Sequence, residues 1–129
     1  MNFFSKKPGI SQPKAIRALE DRGNARIIRL KGSMDITTVG EIQEFGSKMR
    51  AQKGYEFKNL LVDFTEVSYM DSSAVAVLVQ TLRDYKQLHH TIGIVNISPE
   101  LRSVLEITRV DKLVRFYETE AQAVKELDA

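Results

Sequence analysis

Residues 71–73, Asp-Ser-Ser, are the part of the chain whose side chains are best suited to chemistry. They stand directly before the apolar run AVAVLV at residues 74–79. A serine in such a place has two possible uses. Its hydroxyl can cap a helix, which contributes about 1 kcal/mol, or it can stay exposed and accept a phosphoryl group. From the tripeptide alone capping is favoured, because Ser and Asp are common at helix starts.

Other residue types offer no second site for chemistry. An enzyme needs a base beside its nucleophile, and the two histidines, His89 and His90, are consecutive. On a helix their side chains diverge by about 100°, so they cannot share a metal as an i, i+4 pair would. Their place at a predicted helix C-terminus suits the helix dipole instead. Gly32 is single, which is typical of a turn between strand and helix rather than a phosphate-binding loop. We therefore expect no metal, no cofactor and no enzymatic activity.

Length and composition limit the class of protein. The chain has 129 residues, no cysteine and a formal net charge of +2, which suits one domain without disulfides. Its 19 basic residues are scattered among 17 acidic ones. Without a basic stripe, nucleic acid is not an expected partner. No signal peptide or run of about 20 apolar residues is visible, so we expect a cytoplasmic protein with no direct membrane insertion.

The segments before residue 71 predict a hairpin, a helix and a buried strand. Residues 1–14 contain prolines and lysines without periodicity and are expected to form a flexible tail. Extended runs on either side of Gly23 and Asn24 predict the hairpin. Apolar residues at helical spacing predict an amphipathic helix over residues 36–54. The apolar run NLLVDF predicts a buried strand that ends at Asp63.

The segments after residue 71 continue the alternation. The valine-rich run reads as a helix from Ser73 to His90, because it has no Gly or Pro and its apolar residues recur at helical spacing. A strand over residues 91–97, a helix capped by Ser98, a strand over residues 112–118 and a helix capped by Thr119 follow. Such alternation predicts an open α/β sheet. Functional groups of such sheets gather beyond the carboxyl ends of the strands, where residues 71–73 are expected.

The wider pattern resembles a known family. The segment LKGSMD lies one helix before LLVDFTEVSYMDSSAVAVL, and IVNISPELRSVLEITRVDKLVRFYETEAQAV follows it. This succession resembles the STAS family, the bacterial anti-sigma factor antagonists and their relatives, over about residues 15–127. The resemblance implies one small domain, residues 15–129, with an open mixed sheet flanked by helices. It also implies that the serine directly after the aspartate, Ser72, is phosphorylated, with Ser73 as the alternative.

The resemblance further implies the partners. The unphosphorylated domain would bind an anti-sigma factor with a histidine-kinase-like ATPase fold, which phosphorylates the serine and is then released. A PP2C-type phosphatase would restore the free hydroxyl. Asp35 and Asp71 are expected on one rim, where Asp35 either orients the hydroxyl or contacts the partner. Tyr69 and Met70 either contact the partner or pack under the loop. The remaining expected partner-binding residues are Met34, Ser73 and Ala74.

Ala74 departs from the family pattern, which usually has glycine at this position. A methyl group there favours the helix by about 0.5–1 kcal/mol over glycine and would crowd a kinase that approaches the backbone. Some relatives act as fixed subunits instead, including partners of lipid-transport ABC ATPases. The alternative function is therefore a non-switching STAS subunit of such a complex.

Overall fold

The computed structural model describes residues 10–129, and its five strands form one sheet in chain order. The strands are β1 (Ile16–Arg22), β2 (Ala25–Met34), β3 (Asn59–Met70), β4 (Ile92–Val95) and β5 (Arg115–Tyr117). β1 and β2 are antiparallel, whereas the neighbours from β2 to β5 are parallel. The predicted open mixed sheet is therefore confirmed.

Four helices connect or follow the strands. They are α1 (Ile36–Arg50), α2 (Ser72–Gln87), α3 (Pro99–Ile107) and α4 (Glu120–Asp128). Two predicted caps are confirmed: the Ser98 hydroxyl accepts a hydrogen bond from the Leu101 amide at 3.3 Å, and the Thr119 hydroxyl accepts one from the Gln122 amide at 3.1 Å. α2 is shorter than predicted, since it ends at Gln87 rather than His90.

Alternate residues of the central strands pack on opposite faces of the sheet. Leu60 and Val62 of β3 pack in the cluster that contains the apolar faces of α1, α2 and α3. Leu61 packs with Ala123 and Leu127 of α4 on the other face. Because side chains alternate along a strand, β3 is buried on both sides and holds the two layers of helices together.

β3 is longer than the sequence predicts, and the expectation that it ends at Asp63 is wrong. It continues beside β2 to the paired residues Met34 and Met70, through two register shifts. Gly32 lies at the second shift with φ +78, a conformation that glycine adopts without steric cost. The prediction that Gly32 forms a turn between strand and helix is therefore also wrong, because it belongs to an irregular part of β2.

A network of charged side chains fills the sheet face below the first turn of α4. Asp63 is only 2% exposed. Arg29 Nη1 donates to Asp63 Oδ2 at 2.8 Å and to Glu120 Oε1 at 2.6 Å, and Arg29 Nη2 donates to Glu20 Oε1 at 2.6 Å. Burial opposes ionisation of Asp63, but hydrogen bonds from Thr65 and from Arg29 outweigh it and hold the pKa of Asp63 below its usual range. The network therefore joins α4 to three strands.

The two ends of the described chain contact the sheet. The amide of Asn24 in the hairpin donates to Asp128 Oδ1 at 2.6 Å, so the end of α4 is held where β2 begins. Of the predicted flexible tail, residues 1–9 lie outside the described residues. Residues 10–14 contact the domain: Pro13 is buried, and Gln12 Nε2 donates to the Ile16 carbonyl at 2.7 Å.

Candidate functional site

The neighbouring strands β2 and β3 end side by side, and each is followed by an aspartate that begins a helix. Met34 and Met70 are partners in the parallel register. Asp35 then caps α1, and Asp71 caps α2. The Asp71 amide donates to the Met34 carbonyl at 3.0 Å, which extends the ladder up to the cap. Two helix N-termini therefore emerge together at the carboxyl edge of the sheet.

Asp71, and not Ser72, caps α2. Asp71 Oδ1 accepts a hydrogen bond from the Ala74 amide at 3.1 Å, which leaves Ser72 as the first residue of the helix. The interpretation of Ser72 as the cap is thus wrong, because β3 extends to Met70 and sets the cap one residue earlier. Ser72 is exposed, and in residues 10–129 no hydrogen bond uses its hydroxyl.

Ser73 and Ala74 are less accessible than Ser72. Ser73 is half-buried, and Ala74 is 7% exposed and packs in the main apolar cluster. The methyl group that departs from the family pattern is therefore part of the core rather than of the surface. A molecule that approaches the start of α2 from solvent meets Ser72 first.

The Asp35 carboxylate accepts hydrogen bonds from the first turn of its own helix, α1. Oδ1 accepts from the Thr37 amide at 2.9 Å, while the Asp35 amide donates to the Thr38 hydroxyl at 2.9 Å. The hydrogen bonds from Thr37 hold the pKa of Asp35 below its usual range. No hydrogen bond within the described chain joins Asp35 to Ser72. Asp35 and Asp71 thus lie at adjacent strand ends, but Asp35 does not orient the serine hydroxyl here.

The apolar residues around the two caps divide into buried and exposed ones. Met34 and Met70 are buried in the core, whereas Tyr69 is 54% exposed. Ile36, the first residue of α1, is 75% exposed, and sequence reasoning missed it. The spacing gave no signal, because Ile36 precedes Val39 by three residues, as Val39 precedes Ile42. Ile36, Tyr69 and Ser72 form what we call the cap surface.

The two histidines lie away from this surface, at the other end of α2. His89 and His90 follow the end of α2, and His90 Nδ1 lies 3.3 Å from Asn59 Oδ1. Among residues 10–129, no three His, Cys, Asp or Glu side chains are grouped so that they could hold a metal ion. Within the same range, no helix has the length and apolar character needed to cross a membrane.

Comparisons with known proteins agree on the family. The model of the STAS domain matches residues 17–123. An anti-sigma-B factor antagonist of Staphylococcus aureus is 31% identical over 91 residues, which are 70% of this chain and 82% of that protein. The crystal structure of an anti-sigma factor antagonist from Mycobacterium paratuberculosis covers 92% of this chain and 99% of its own, with 21% identity and a TM-score of 0.72.

A further solved structure is that of the Bacillus cell fate determinant SpoIIAA in its phosphorylated form. It is 25% identical, has a TM-score of 0.66, and covers 87% of this chain and 98% of its own. Since the matching family model reaches from β1 into α4, and the strands and helices agree in order with those of solved members, this chain belongs to the STAS domain family.

Proposed function

We propose that this chain is an anti-sigma factor antagonist that binds an anti-sigma factor and releases it when Ser72 is phosphorylated. The Staphylococcus aureus relative is an anti-sigma-B factor antagonist, and SpoIIAA has been solved in unphosphorylated and phosphorylated forms. The observation that carries the assignment is the free hydroxyl of Ser72: Asp71 performs the capping, so the exposed serine has no structural task.

The cap surface supplies what such a partner needs. Ile36 and Tyr69 offer exposed apolar area near the paired ends of β2 and β3, and exposed apolar patches are typical of contact sites. The Ser72 hydroxyl is neutral, and Oδ1 of each aspartate accepts a hydrogen bond from the first turn of its own helix. Because β2 and β3 end side by side at Met34 and Met70, we expect a partner that contacts Ile36 and Tyr69 to approach the Ser72 hydroxyl as well.

Phosphorylation would change the free energy of the complex more than that of the domain. A phosphate adds about −1.5 to −2 charges. On Ser72 it would meet the free amides at the N-terminus of a 16-residue helix, which stabilise negative charge. A partner that had covered a neutral hydroxyl would instead have to bury that charge, which is costly without new hydrogen bonds. Release of the partner follows from this difference.

The chain is the phosphoryl acceptor and not the catalyst. An anti-sigma factor with a histidine-kinase-like ATPase fold would transfer the γ-phosphoryl group of ATP to Ser72 Oγ, with release of ADP and of the hydroxyl proton. A PP2C-type phosphatase would hydrolyse the phosphoserine and restore the neutral surface. No residue of this chain is required to act as an acid, a base or a metal ligand in either step.

The test uses the histidine-kinase-like anti-sigma factors of the organism that encodes this chain. Each is incubated with ATP and the wild-type chain, Ser72→Ala or Ser73→Ala, and intact masses are measured. With the cognate kinase, the wild type and Ser73→Ala should gain one phosphate and Ser72→Ala none. Ser72→Ala should bind the kinase as the wild type does, since it remains neutral.

Ser72→Asp separates regulation from structure. Aspartate is as good a first-turn residue as serine, so the variant should keep its stability while its binding weakens through the added charge. Labelling of Ser73→Ala lost together with that of Ser72→Ala would refute the assignment to Ser72. A phosphorylated chain that keeps its partner at full affinity would favour the fixed subunit of an ABC ATPase complex instead.

A further inference from the structure

A groove runs between α1 and α2 above the sheet, on the face that carries the main apolar cluster. It has a volume of about 490 Å³, within the range of small-molecule sites. A second chamber of about 120 Å³ continues it toward the ends of β2 and β3. The two spaces are adjacent, because five side chains line both: Ile28, Ile42, Leu60, Val77 and Thr81.

The inner chamber accepts only an apolar group. Its far end is formed by Met34, Val39, Met70 and Ala74, and no charged side chain lines it. Its one polar side chain, Thr81, donates its hydroxyl to the Val77 carbonyl at 2.8 Å. A polar ligand group placed there would lose its hydrogen bonds to water without replacement.

The outer part of the groove has one uncommitted cation. Arg26 is engaged by Asp21 at 2.7 Å, and the only acid among the lining residues described, Asp84, accepts from Gln80 at 2.9 Å. In residues 10–129, no hydrogen bond or ion pair uses the Arg50 guanidinium. Burial raises the pKa of Tyr85 to about 12, so this neighbour stays a neutral phenol and does not neutralise Arg50.

Gly46 keeps the groove open beside that cation. A Cβ at this position would lie 3.0 Å from Arg50 Nη1, so the missing side chain leaves room for the guanidinium at the mouth. Glycine inside a helix costs about 1 kcal/mol relative to alanine, and α1 carries this cost. Along α2, Ala74 and Leu88 line opposite ends of the space, which at 1.5 Å per residue is about 21 Å of groove.

We propose that this groove binds a free fatty acid, with the end of the hydrocarbon chain in the inner chamber and the carboxylate paired with Arg50. The apolar lining of the inner chamber fits the end of such a chain, and the planar guanidinium fits a carboxylate with two parallel hydrogen bonds. The inference does not rest on the role of Ser72, and its test uses no anti-sigma factor. Failure of one proposal therefore leaves the other unaffected.

Methionine methyl groups provide the readout. Met34 and Met70 line the inner chamber, and Met49 lines the outer part. Protein labelled with [methyl-¹³C]methionine is titrated with laurate below its critical micelle concentration, and in parallel with uncharged 1-dodecanol. Laurate should shift all three methyl resonances with saturation at one molecule per chain. Dodecanol should bind about tenfold more weakly, which corresponds to about 1.4 kcal/mol.

Three variants locate the ligand. Gly46→Leu should abolish saturable binding by filling the groove. Gly40→Leu is the matched control, because it makes the same change in the same helix where a Cβ would meet nothing within 4 Å. It should bind laurate as the wild type does. Arg50→Gln should weaken laurate about tenfold and leave dodecanol unchanged.

Several results would overturn the proposal. Methyl shifts that keep rising with laurate concentration, or that persist in Gly46→Leu, would indicate surfactant association with the surface. Equal affinity for laurate and dodecanol, or no effect of Arg50→Gln, would rule out a carboxylate ligand. Shifts that depend on protein concentration without laurate would assign the groove to a second copy of the chain.

Discussion

Replacing Asp63 by alanine should lower the free energy of unfolding by about 3 kcal/mol. The side chain is 2% exposed, and its two oxygens accept from Arg29 at 2.8 Å, the Thr65 amide at 3.0 Å and Asn96 at 3.1 Å. Removal of one partner of a buried ion pair costs about 3–5 kcal/mol. We expect the lower end, since Arg29 retains two other carboxylates, Glu20 and Glu120.

Glu66→Ala is the matched control for this change. Glu66 lies on the same strand and also pairs with an arginine, Arg17, but its side chain is about half exposed. Exposed pairs contribute about 0–1 kcal/mol, so the control should remain close to the wild type. Urea unfolding followed by circular dichroism gives both free energies. If Asp63→Ala loses no more stability than Glu66→Ala, the network does not stabilise the attachment of α4 to the sheet.

Three further predictions concern the caps, pH and the cap surface. Asp71→Ala should cost about 1 kcal/mol in thermal or urea unfolding, whereas Ser72→Ala should stay within about 0.5 kcal/mol of the wild type; equal losses would contradict the assignment of the cap. The pKa values of Asp63 and Glu120 are lowered in the folded state, the former by Thr65, Arg29 and Asn96 against burial and the latter chiefly by Arg29. Their contribution to stability is therefore fully present above the ordinary pKa values of 3.8 and 4.5, and it is lost as the pH falls through the pKa values of the folded state. In acid, the unfolding midpoint of the wild type should therefore fall more steeply with decreasing pH than that of Asp63→Asn. Ile36→Glu should weaken binding of the anti-sigma factor by about 1–2 kcal/mol in calorimetry with unchanged stability, and unchanged affinity would place the partner elsewhere.

Local sequence patterns correctly predicted the hairpin, two helix caps and the valine-rich helix. Gly23 has the positive φ that the predicted hairpin requires. Ser98 and Thr119 cap their helices as predicted, because each stands directly before the first turn of an apolar periodic segment. The valine-rich run is a helix, since its length and the lack of Gly or Pro outweigh the preference of valine for strands.

The cap of α2 could not be predicted in this way, because it depends on where β3 ends. Both Asp71 and Ser72 are good capping residues, and the choice is made by the pairing of Met70 with Met34 across irregular register. Alternation in residues 59–70 is interrupted by exposed Thr65 and Glu66, which hides the second half of the strand. Register between distant segments is a tertiary property, so no local pattern reveals it.

The contact between α4 and the hairpin has a practical consequence for measuring the proposed binding. Asp128 is held at Asn24, while the cap surface lies beyond Met34 at the other end of β2. Ten residues of strand separate these points, or roughly 30 Å at 3.3 Å per residue. A fluorophore joined to Ala129 would therefore report the arrival of a labelled anti-sigma factor by energy transfer, without competing with it for the same surface.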